Sequence, residues 1–199
     1  MLVGRLALVG AIAMVIGAAA SAAPASSRWT WRSLHRPFHL PTLRPGAPCP
    51  VSARTRVDLG TEGIRALPGR GPAYPNLPGD GVRLEFVFPP DPRQIDFYGT
   101  GWGGNKVLWW VTGTYHGPVL IRGRELGGNH VVRFDTGRPL PPKEISIFPG
   151  RGHALWKGAR DRPSYTRLQT PGCYAYQLDG TTFSRVVVFE AEVVPSPGG

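Results

Sequence analysis

Two cysteines, five histidines, thirteen carboxylates and six tryptophans carry most of the chemistry open to this 199-residue chain. His35 and His39 alone have the i, i+4 spacing of helical metal ligands, and Pro37 between them argues against that helix. His116, His130 and His153 read as surface or turn residues, so the sequence implies no metal and no cofactor. Two carboxylate pairs have the residue types of a general acid and base: Asp91 with Asp96, and Glu190 with Glu192. The second pair sits on one strand face at about 7 Å, a spacing that solvent-facing glutamates commonly share. No G-x-S-x-G elbow, no H-E-x-x-H and no G-x-x-x-x-G-K-[ST] loop is present. Gly101-Trp102-Gly103 starts like a dinucleotide fingerprint, but Lys106 stands where its third glycine belongs. These features point away from catalysis.

Cys49 and Cys173 are the only cysteines, and an even pair in an oxidising compartment reads as one disulfide. Such a compartment is what the start of the chain suggests. Arg5 supplies a positive n-region, and Leu6 to Gly17 is an apolar run of about 12 residues, too short to span a bilayer. Ala18 to Ala23 offers small-residue cleavage sites, with cutting expected after Ala22; a retained anchor is the alternative. The expected location is secreted or extracytoplasmic, at the cell envelope.

The tryptophans and arginines are the stronger lead. Alternation along Lys106 to Tyr115 puts Val107, Trp109 and Val111 on one face, and Leu108, Trp110, Thr112 and Thr114 on the other. The threonines mark the second face as outer, which exposes Trp110. Trp102 lies in a glycine loop, and Trp156 lies between His153 and Lys157. Exposed aromatic rings of this kind stack on sugars or pack on a partner. The alternative for Trp110 is a second hydrophobic layer under Leu120 or a long loop. The net charge is +10, and 20 of the 23 basic residues are arginine. Arg28, Arg32, Arg36 and Arg44 fall in residues 23–48 with no acid and five prolines. That stretch reads as a flexible arm, with Trp29, Trp31, Leu34 and Phe38 interleaved. Arginine seeks anionic surfaces and tryptophan seeks a polar–apolar boundary, so an anionic envelope surface is the suggested partner. An inert linker with a compositional arginine bias is the alternative, and nucleic acid is not expected.

The elements that must hold these residues are strands. Gly and Pro fill 49 of 199 positions, which disfavours a helical bundle. Short alternating runs stand at Val82–Phe88, Lys106–Tyr115, Val119–Arg122, His130–Phe134 and Ile145–Phe148. Cys173–Leu178 and Thr182–Val194 form a hairpin about Asp179-Gly180. Some seven to nine strands make an all-β antiparallel sandwich, in a domain spanning residues 49–195.

Gly172-Cys173-Tyr174 resembles the G-x-Y of immunoglobulin-like domains. There the tyrosine hydroxyl bonds back to the backbone at a corner, a role that falls to Tyr174 here. Lys106-Val-Leu-Trp-Trp, Gly117-Pro-Val-Leu-Ile-Arg-Gly-Arg-Glu-Leu and Thr170-Pro-Gly-Cys-Tyr-Ala-Tyr-Gln with Val186-Val-Val-Phe also resemble a group of secreted bacterial proteins of unassigned function. That resemblance covers roughly residues 98–192. It implies an exported β-sandwich and no particular activity.

Three functions follow as expectations. The first is an exported, non-catalytic domain that binds or serves structurally at the envelope. The second is a carbohydrate-binding module using Trp102, Trp110 and Trp156. The third is a small secreted hydrolase.

Overall fold

The structure, a computed structural model, describes residues 29–135, 140–150 and 158–196. The expected signal segment with its cleavage site, Arg28, His153 and Trp156 lie outside the described residues. Within them the chain forms one short helix, α1 (Trp31–Leu34), a 3-10 turn (Gly60–Glu62) and eleven strands. These are β1 (Arg54–Asp58), β2 (Ile64–Pro68), β3 (Ala73–Asn76), β4 (Arg83–Phe86), β5 (Gly103–Val111) and β6 (Val119–Glu125), then β7 (Arg133–Phe134), β8 (Glu144–Ile147), β9 (Arg160–Leu168), β10 (Gly172–Gly180) and β11 (Ser184–Val193).

The chain is an all-β sandwich. A five-stranded sheet, in the order β4-β11-β10-β6-β8, packs on a four-stranded sheet, β3-β5-β9-β7. Pairing is antiparallel except where β4 runs parallel to β11. Period-two alternation builds the core, since every second side chain points to one face of a strand. Val107, Trp109 and Val111 of β5 thereby meet Tyr174, Tyr176 and Leu178 of β10 and Val187, Phe189 and Ala191 of β11. Trp109 meets Tyr176 edge-on at 4.9 Å, and Tyr176 stacks on Phe189 at 4.3 Å. The polar atoms these rings carry inward are satisfied by β9. Trp109 Nε1 donates to Ser164 Oγ at 3.1 Å, and the Tyr176 hydroxyl pairs with Thr166 Oγ1 at 2.8 Å.

The outer faces are covered too. The β1–β2 hairpin lies over the outside of the four-stranded sheet, where Val57, Leu59 and Leu67 enclose Tyr74 and Trp110. Residues 29–52 cover much of the outside of the five-stranded sheet. Leu40, Leu43 and Cys49 pack on Leu126, Cys173, Ala175 and Val188 there. The Cys49–Cys173 disulfide is formed, with Cα atoms 5.3 Å apart.

The two packed sheets hold nine strands, within the expected seven to nine, and the β1–β2 hairpin adds two more outside them. The last hairpin turns at Thr181-Thr182, closed by the Gly180 N–H on the Phe183 carbonyl at 2.9 Å, and not at Asp179-Gly180. Asp179 stays in β10 because its carboxylate is held by Arg122 Nη2 at 2.7 Å and Ser184 Oγ at 2.6 Å. The described part of the arm, residues 29–48, packs on the five-stranded sheet and is hydrogen-bonded to it.

Candidate functional site

Of the tryptophans nominated as a ligand surface, Trp102 is 7% exposed and Trp110 is 2% exposed. Neither presents a flat face. Trp110 is the floor of the layer that the β1–β2 hairpin closes, so the covering element is that hairpin, not Leu120. Trp102 is buried at the start of β5, with the Arg133 guanidinium 5.4 Å from its ring. Gly103 beside it lets β5 approach β4, since a Cβ there would strike the Val87 carbonyl and the Phe86 ring.

The nominated carboxylates are engaged in pairs. Arg83 Nε bridges Glu190 at 3.3 Å and Glu192 at 3.4 Å. Asp91 is held by Arg93 and Ser196, whose hydrogen bonds keep its carboxyl well below the usual range. Asp96 accepts the Tyr165 hydroxyl at 2.8 Å. His35 pairs with Glu144 at 2.8 Å and His130 with Glu125 at 2.6 Å. Among the described residues no group of three His, Cys, Asp or Glu side chains converges to hold a metal. Tyr174 donates its hydroxyl to the Thr170 carbonyl at 3.0 Å, four residues upstream. Burial pushes its pKa up to about 12, with Glu125 adding to the rise and the Thr170 hydrogen bond opposing it.

The arm has a defined geometry. Thr30 and Ser33 form a reciprocal capping box that starts α1, and α1 packs against β6. Leu34 is fully buried. Arg36 reaches over the β10–β11 turn and donates to the carbonyls of Phe183, Gly180 and Thr181, while facing Asp179 at 3.8 Å. Gln177 and the arm's backbone then bond reciprocally. Its Nε2 donates to the Pro37 carbonyl at 3.0 Å, and its Oε1 accepts the His39 N–H at 2.8 Å. Arg122 donates to the Arg36 carbonyl and lies 4.7 Å from the Phe38 ring. Arg36 is therefore a structural clamp, not a free surface charge. Arg32 and Arg44 remain exposed.

Docking the arm assembles an aromatic shelf. Trp29 meets Trp31 edge-on at 5.1 Å, and Trp31 meets Phe148 at 4.9 Å. Both tryptophans are half-buried, and Phe148 is exposed. Arg160, itself buried, fixes the far side by donating to the carbonyls of Phe148, Tyr115 and Gly117. Phe148 was missed as a site residue, although alternation along Ile145-Ser146-Ile147-Phe148 turns it outward. Its place beside Trp31, distant in sequence, had no signal at all.

Comparison with protein-family models, with curated proteins and with solved structures finds no match.

Proposed function

We propose that the chain is an exported, non-catalytic β-sandwich domain that works at the cell envelope, seated on an anionic surface by its N-terminal arm. The observation that carries this reading is the docked arm. It holds Trp31 against Phe148, with Trp29 edge-on to Trp31, while Arg32 stays exposed. A preorganised set of ring and guanidinium groups binds with less ordering cost than a slack linker. Tryptophan at a headgroup boundary and arginine facing anionic lipid or wall polymer is the matching chemistry. The Cys49–Cys173 disulfide is compatible with an extracytoplasmic location. The immunoglobulin-like reading and the kinship with secreted bacterial sandwiches belong to the same proposal, supported by the Tyr174 corner bond.

Vesicle co-sedimentation tests it. The purified protein is expected to bind phosphatidylglycerol vesicles, to bind phosphatidylcholine vesicles much less, and to lose binding as salt rises. Trp29→Ala with Arg32→Glu is expected to abolish the binding with the melting temperature nearly unchanged. Equal sedimentation of the double variant, or no binding by the parent, rejects the seat.

A further inference from the structure

We infer that a groove between the β1–β2 hairpin and the start of β11 is a binding site for an oxyanion, carboxylate or phosphate, carried on a body of sugar size. The groove is open to solvent and offers about 670 Å³. That exceeds a lone oxyanion and falls within the roughly 300–1,000 Å³ of small-molecule sites. Arg56 of β1, Arg70 of the β2–β3 turn and Arg185 of β11 line it, and Asp58 is the carboxylate among the described lining residues. Over those described residues, three positive charges less one negative leave +2.

Two of these three arginines, Arg56 and Arg70, differ from most of those elsewhere in the fold. Arg36, Arg122, Arg133, Arg160 and Arg167 hold backbone carbonyls, and Arg83, Arg93 and Arg162 hold carboxylates. Arg56 and Arg70 are exposed and make no hydrogen bond or ion pair with another described residue. Arg185 is anchored, its Nε donating to the Gly71 carbonyl at 3.2 Å. A guanidinium fork matches carboxylate and phosphate oxygens two at a time. Like charges on one groove repel, and an anion between them relieves that repulsion.

The wall is built for hydroxyl groups. Thr112 and Thr114 hydroxyls lie 2.8 Å apart in the lining, and each can both donate and accept. Tyr74 forms part of the same wall, its pKa raised by burial and drawn back by Arg185. Gly71 is at φ +59, and a Cβ there would overlap the Tyr74 hydroxyl, so the wall requires glycine. Sugar hydroxyls pair with such a lining while the attached oxyanion meets the arginines. This site is independent of the aromatic shelf and of the envelope reading.

Calorimetric titration of the purified protein tests it with four probes. Galacturonate tetramer supplies the carboxylate and glucose 6-phosphate the phosphate. Cellotetraose and glucose are their neutral counterparts. One charged probe at least is expected to bind, more weakly as salt rises, and its identity names the source of the anion. Arg56→Ala with Arg70→Ala is expected to weaken that binding by about tenfold or more, the scale of lost charge-assisted hydrogen bonds. An unchanged melting curve shows that the variant is folded, because neither side chain holds another described residue. Binding of neither charged probe, equal binding of a neutral counterpart, or equal binding by the double variant overturns the site.

Discussion

At the scale of single residues, arginine acts here mainly as a carbonyl clamp. Arg167 is fully buried, and it donates to the carbonyls of Asp135 and Asp96 with its guanidinium 5.0 Å from the Phe97 ring. Burial pulls its pKa below the ordinary guanidinium value, and Asp96 and Asp135 oppose that pull. A lysine ammonium is a point charge and cannot reach two carbonyls in one plane. Arg167→Lys is therefore expected to cost about 1–3 kcal/mol in urea unfolding, the range for a lost charged hydrogen bond. A compositional account of the arginine bias predicts no such loss. The adjacent tryptophans offer a second contrast. Trp109 Nε1 has a partner in Ser164, whereas the Trp110 Nε1 is buried with none among the described residues. Trp109→Phe should cost about 1 kcal/mol more than Trp110→Phe, because only the first breaks a buried hydrogen bond. Equal thermal shifts for the two variants would contradict the assignment.

At the scale of elements, the arm is the part whose role changes most between sequence and structure. Deleting residues up to Ala47 removes Leu34, Arg36, Leu40 and Leu43 from the five-stranded sheet, together with the backbone that Gln177 and Arg122 hold. It leaves the fully buried Asp179 without its second arginine. Such a form is expected to be aggregation-prone or to melt well below the parent, measured by scanning calorimetry; a cooperative transition at the parent temperature would show the arm to be dispensable. The Cys49→Ala, Cys173→Ala form tests the covalent tie separately. A bridge spanning 124 residues stabilises by about 5 kcal/mol at most in the loop-entropy model. Strands β4 to β8, β10 and β11 were legible as short apolar or alternating runs bounded by turn residues. Strand β9 was not. Arg160, Arg162, Pro163 and Arg167 break any apolar alternation there, yet β5 covers one edge of the strand and β7 pairs it only at Thr166 and Arg167, so Pro163 breaks no bond on the open side. The disulfide was legible by elimination, since only two cysteines exist. The aromatic shelf and the arginine groove were not, because each joins residues distant in sequence, and alternation says which face a side chain takes but not what lies opposite.

At the scale of the whole molecule, opposite pKa shifts bound the pH range of stability. Backbone hydrogen bonds from Val82 and Arg83 lower Asp80, and Arg93 and Ser196 lower Asp91. Below pH about 4 the unfolded chain binds protons that these folded carboxylates still refuse, so stability falls as pH drops through that range. The tyrosines act in the other direction. Tyr174 is raised to about 12, and Tyr176, in the sandwich core, is raised further by burial against a weaker opposing hydrogen bond from Thr166. Tyr74 is raised by burial, and Tyr165 is raised first by its hydrogen bond to Asp96. Above pH about 10 the unfolded tyrosines release protons while the folded ones keep theirs, so the unfolded state holds fewer protons and stability falls as pH rises. Melting temperature against pH should thus fall below pH about 4 and decline steeply from pH 10 to 12. Tyr174→Phe separates the two roles of that side chain. At neutral pH it is expected to cost about 1 kcal/mol through the lost bond to the Thr170 carbonyl. Between pH 10 and 12 its decline should be shallower than the parent's, because one group that titrates only when unfolded is gone. A variant with parental stability at pH 7 and a parental alkaline slope would mean that the Tyr174 hydroxyl neither bonds Thr170 nor resists ionisation in the fold.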